Sequence, residues 1–195
     1  MMNSVEVNGA DTNLSLPDGF QLVETKSRER NGETVQVERY QKDLKVTPNN
    51  AHVTVVWGDD GRLISYNNFA VDEDGQVPTE SQAVDIAWNN FEQLDPDYAS
   101  GLQFMRVDHY TRYFINSDGE RVDIPIAWVK FAHAVGEVSY NWVSVGVNGQ
   151  VIEMERESYW DYFASRRATE EWNYDDWVLA RQGKGPQLKA PEARA

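Results

Sequence analysis

The chain has no cysteine, only three histidines, no run approaching 18 consecutive apolar residues, and few basic residues: 18 Lys and Arg against 32 Asp and Glu, a formal charge of −14. Each shortage excludes something. Without cysteine there is no disulfide, no thiolate zinc site and no cysteine nucleophile, which suits the cytosol and a cysteine-poor bacterial surface alike. Without a long apolar run no helix is expected to cross a membrane. Met1-Met2-Asn3-Ser4-Val5-Glu6 has neither a basic n-region nor an apolar h-region. A cytoplasmic location is therefore expected for the chain as it stands, and a cell-envelope or secreted one if a leader has been removed. The acidic excess opposes nucleic acid and anionic membrane surfaces, and leaves a protein or peptide partner, or a neutral ligand, as the expected company.

Catalytic patterns are missing as well. His52, His109 and His133 are far apart and form no H-E-x-x-H pair, so they read as ordinary surface or half-buried histidines. No G-x-S-x-G elbow occurs, and Gly183-Lys184-Gly185 is too short to cradle a phosphate. Asp72-Glu73-Asp74-Gly75 has the acidity of a calcium loop without its ligand spacing, and reads as a polar turn. No catalytic residue, no metal site and no cofactor are expected. A hydrolase built on unpatterned carboxylates is the weakest of the functional readings.

What is present is material for a core: 195 residues, 41% hydrophobic, with seven Trp, nine Tyr and seven Phe. Residues 1–19, with Asn8-Gly9 and Pro17-Asp18-Gly19, read as an irregular lead-in. A helix is expected over 79–94, with Thr79 as N-cap, Gln82 completing a capping box, and Val84, Ala87, Trp88, Phe91 and Leu94 as its apolar stripe. Asp95-Pro96-Asp97 should stop it. Val53–Trp57 and Leu63–Tyr66 flank Asp59-Asp60-Gly61, and Trp142–Val147 and Val151–Met154 flank Asn148-Gly149, two hairpins of one design.

Aligning Gly61 with Gly149 also aligns Val55 with Val143 and Ile64 with Ile152, and Gly32-Glu33 matches Gly119-Glu120 upstream. The expected fold is therefore α+β. It comprises two four-stranded antiparallel meanders (half-repeats 20–70 and 79–158), one main helix packed on the sheet, and short C-terminal helices over 159–182, all in a single domain spanning 20–182. Pro125 marks an edge or bulge in its strand. Residues 183–195 read as a disordered tail.

The segment 159–177 is rich in rings and carboxylates. Trp160, Trp172, Tyr174 and Trp177 are the candidate binding residues, since exposed aromatics anchor partners or stack on sugars. Packing of the same rings over the sheet is the competing expectation. The leading reading is a non-enzymatic protein- or peptide-binding module, with an extended peptide added at a sheet edge. A carbohydrate-binding module using the C-terminal aromatics is the alternative.

The pattern Ala83-x-x-Ile86-Ala87-x-x-x-Phe91-x-x-Leu94-Asp95-Pro96-Asp97-Tyr98, followed by a meander ending in Val143-Ser144-Val145-Gly146-Val147-Asn148-Gly149-Gln150-Val151-Ile152, resembles the PepSY family and its tandem-repeat relatives in Gram-positive cell-envelope proteins. The resemblance covers residues 80–160 well and 20–70 more loosely. It implies small modules of one helix across an antiparallel sheet that bind, and in some cases restrain, peptidases. It brings no catalytic residues. The first half-repeat departs from the pattern in having no leading helix.

Overall fold

The computed structural model describes residues 3–134, 136–163, 166–167 and 171–187. The chain opens with a hairpin of β1 (Asn3–Val7) and β2 (Ala10–Leu16). This corrects the irregular lead-in expected for residues 1–19. Asn8 and Gly9 both take positive φ (53° and 75°), the turn that matches the twist of paired strands. Val5 and Leu14 are then free to be buried in the main core.

Next come β3 (Gln21–Arg30), β4 (Glu33–Gln41), β5 (His52–Trp57) and β6 (Leu63–Phe69), then helices α1 (Glu80–Leu94) and α2 (Pro96–Ser100). β7 (Leu102–Ile115), β8 (Arg121–His133), β9 (Ser139–Val145) and β10 (Val151–Ser158) follow. The expected α+β class is corrected: strands make up 50% of the described residues and helix 17%, so the molecule is mostly β. The strands do not form two four-stranded meanders under a main helix. β6 pairs with β10 through Asn67↔Glu153, Tyr66↔Met154 and Ser65↔Glu155. That ladder joins all eight strands into one antiparallel sheet of order β3-β4-β5-β6-β10-β9-β8-β7. The physical reason is that two separate sheets would each leave a further strand edge unpaired at its centre.

One face of the sheet receives α1 and the β1–β2 hairpin. The helix starts as expected, with the Thr79–Gln82 capping box in place, and Asp95 caps its end. The Asp95 side chain also accepts from the Tyr98 N–H at 3.0 Å and so starts α2 around Pro96. Ala83, Ala87 and Phe91 meet Val53, Val55, Val129, Phe131 and Val143 there. Asn90, buried on the same helix, donates to Asn13 of the hairpin at 2.8 Å.

The opposite face is concave. Five ladders separate β5 from β7 in the sheet, yet the Ile115 N–H donates to the Asn49 carbonyl at 2.7 Å, and Asn50 bridges Ile115. The sheet therefore curls until its far wings meet at one end. Within the curl lie Val35, Val37, Val56 and Ile64 on one side and Phe69, Trp128, Trp142 and Ile152 on the other.

The C-terminal segment also departs from expectation. In place of a helix across 160–167, β11 (Trp160–Asp161) pairs with β12 (Arg166–Arg167). Phe163, just past β11, is fully exposed, so this stretch turns no apolar face to the core around which a helix would be held. The second expected helix is present as α3 (Asp175–Arg181). Of the tail 183–195, only 183–187 lie among the described residues.

Candidate functional site

Residues 171–181 cross the concave face as a strap, and three of the four candidate binding residues lie on it. Trp172 is 7% exposed and packs among Val35, Val37, Val56 and Ile64; Trp177 is 4% exposed. Tyr174 sets its ring edge-on to Phe69 at 5.2 Å and donates its hydroxyl to Glu153. These rings plug the curl, so neither buried Trp presents a face on which a sugar could stack. Trp160 stands apart, half-buried on β11.

Charge fastens the strap to both wings. Asp175 accepts from Arg39 of β4 at 2.8 and 3.1 Å and from the Asn49 N–H at 2.7 Å. Asp176 accepts from the Asn49 side chain at 2.8 Å and from the Tyr113 hydroxyl of β7 at 3.0 Å. Glu171 pairs with Arg112 of β7 at 3.1 Å. Burial pushes Asp175 upward, but His52, Arg39 and the Asn49 N–H outweigh it and hold the carboxyl below its ordinary range.

Two carboxylates sit under the strap. Glu153 meets Arg112 at 3.2 Å and accepts from Ser144; Glu155 meets Arg30 at 3.2 Å and Ser65 at 3.3 Å. Burial raises both, taking Glu155 to about 7 against the pull of Arg30. Raised carboxylates in a deep cleft would favour acid–base chemistry. Here both are sealed from solvent and hydrogen-bonded, so no substrate reaches them. His52 corrects its expected surface or half-buried placement: it is fully buried, bonded through Nδ1 to the Asn50 carbonyl, and burial lowers it to about 4. Among the described residues, no three His, Cys, Asp or Glu side chains are grouped to hold a metal ion. Nor is any described helix long and apolar enough to cross a membrane.

The open feature is β7. Among the described residues it pairs along its length with β8 alone. Its last residues are closed off by Asn49, Asn50 and the strap, so the free edge runs over residues 102–111. Met105 bulges out of register between Phe104 and Arg106, re-aiming the strand there. Phe104 is 48% exposed, Met105 38% and Tyr110 53%. On the concave side this edge borders a cleft of about 410 Å³ lined by Met105, Tyr110, Trp128, Trp142, Trp160 and Tyr162. Tyr110 stands edge-on to Trp128 at 5.5 Å, Trp128 to Trp142 at 5.6 Å, and the Lys130 ammonium lies 3.4 Å from the Trp128 ring centroid. The other sheet edge, β3, carries the charged side chains of Glu24, Lys26 and Glu29.

Of the residues bordering this cleft, Trp160 was among the candidates read from the sequence, and Tyr110, Met105, Trp128 and Trp142 were not. The adjacent apolar pair Phe104-Met105 was the available sign, since consecutive side chains of a strand point to opposite faces and cannot both face the core. No family model matches this chain, and no curated protein matches it.

Proposed function

We propose that this chain is a non-enzymatic peptide-binding module that accepts an extended segment of a partner on the open edge of β7. The observation that carries this is a single strand combining three properties: a free edge over 102–111, exposed Phe104, Met105 and Tyr110, and an aromatic cleft beside them. Strand addition supplies main-chain hydrogen bonds along the edge, and every second side chain of the added strand enters the cleft. A segment of about ten residues spans the whole interval, since both strands rise by the same amount per residue. The PepSY resemblance, with its implied peptidase partner, supports a protein-binding role of this kind.

The test is selection of binding peptides from a random display library on the full chain, followed by amide hydrogen exchange of the complex. Selected peptides should protect amides of residues 103–111, and Tyr110→Ala should weaken them by roughly tenfold, about 1.4 kcal/mol. Protection of β3 instead, or affinity indifferent to Tyr110→Ala, refutes the reading.

A further inference from the structure

The free edge of β7 is self-complementary. Met105 bulges out of the β8 ladder, and with it left out Val107 is the midpoint of the interval 102–111. Arg106 and Asp108 flank that midpoint on the concave face, where they border the aromatic cleft and pair with each other at 2.9 Å. Phe104 and His109 turn to the opposite face. Phe104 meets Phe131 of the main core edge-on at 6.2 Å, and His109 lies 3.3 Å from Glu80 of α1. Tyr110 returns to the concave side, beside the same cleft.

An antiparallel strand laid on this edge sets directly opposite residues on the same face. When that strand is β7 of a second copy, turned about a two-fold axis through Val107, every opposition is favourable. Arg106 faces Asp108 of the second copy and Asp108 faces its Arg106, so one ion pair within a strand becomes two between strands. Phe104 meets the imidazole of the second copy's His109, and the Tyr110 side meets the amide of its Gln103.

The other edge, β3, has a similar pair in Glu24 and Lys26, 2.9 Å apart around Thr25. There, with the bulged Val23 left out, Leu22 would face Ser27 and Gln21 would face Arg28, so Leu22 is the one exposed large apolar side chain to be covered. On β7, Phe104, Met105 and Tyr110 are exposed together. Shielding of apolar surface therefore favours pairing through β7.

We propose that this chain forms an isologous homodimer through β7, with its two-fold axis at Val107, so that the sheet continues across both copies and the edge open to peptides is covered. The proposal uses the open edge but not peptide binding itself: dimer and peptide compete for one strand. Contact along one strand is small beside that of permanent dimers, so monomer and dimer exchange.

Sedimentation velocity of the full chain, at concentrations rising to millimolar, tests it. The mean mass should climb from that of the monomer towards twice that value. Arg106→Asp and Asp108→Arg should each weaken the dimer roughly tenfold or more, because like charges then face each other across the axis. An equimolar mixture of the two variants should dimerise again, because each supplies the charges the other lacks. The chain has no cysteine, so Val107→Cys places one thiol per copy at the axis and should cross-link under mild oxidation faster than Thr25→Cys on β3. A chain monomeric throughout, single variants that dimerise like wild type, a mixture that stays monomeric, or faster cross-linking through Thr25→Cys overturns the proposal. Selected peptides that protect 103–111 on a chain that never dimerises leave only the peptide reading standing; a dimer that no selected peptide dissociates leaves only this one.

Discussion

Glu155 shows how a single buried carboxyl couples this fold to pH. Burial holds it at about 7 in the folded chain, against an ordinary value of 4.5. The folded state therefore takes up a proton that the unfolded state does not, over the interval between those values. Stability from this group is complete below the ordinary value and is lost as pH rises through about 7. Asp175 and Asp95 act in the opposite sense: both are held below their ordinary range despite burial, by His52 and Arg39 in one case and by the Tyr98 N–H and Arg156 in the other. Their contribution is present above the ordinary carboxylate range and disappears as pH falls through their depressed values. Urea denaturation should thus show stability climbing from about pH 8 to about pH 5 and falling below about pH 4. Glu155→Gln should flatten the limb between about pH 7 and pH 5 whatever it does to absolute stability. A variant that keeps the wild-type slope there would rule out Glu155 as its source.

At the scale of elements, the strap is a structural plug and β11 is not. Trp172→Ala removes a ring enclosed by Val35, Val37, Val56 and Ile64, and should cost roughly 3–5 kcal/mol. Trp160→Ala, at a half-buried position in a two-residue strand, should cost less than about 1 kcal/mol. Equal losses in urea melts would mean that the strap is no plug. The same contrast explains what was legible in the sequence. Helix α1 was readable because its signals are local: a cap, a box partner three residues on, a stripe, and a proline beyond. The hairpin turns at Gly61 and Asn148-Gly149 were readable for the same reason. The partners of Tyr174, Asp175 and Asp176 were not, because Glu153, Arg39, Asn49 and Tyr113 are contributed by four distant segments. The β1–β2 hairpin was lost because Ser4, Asp11, Thr12 and Asn13 look like loop residues until Val5 and Leu14 find the helix. β7 was seen as an extended stretch, but nothing local distinguishes a strand paired on both sides from one left at an edge.

For the molecule as a whole, the β6–β10 seam has a consequence for how quickly the chain becomes native. Every other ladder of the large sheet joins strands that follow one another in sequence. At the seam alone, residues 65–67 meet residues 153–155. Closing so long a loop spends chain entropy before the contact returns any free energy. We therefore expect Met154→Ala, in the seam, to slow refolding in stopped-flow experiments, and Val35→Ala, in a hairpin whose partners are near neighbours, to act mainly by speeding unfolding. Equal effects of the two substitutions on refolding would argue against this order. Until the seam closes, Glu153 and Glu155 face water, where they ionise freely, and the strap has no floor to dock on. On this order the concave face and everything fastened within it should be acquired late, in the slowest stage of folding.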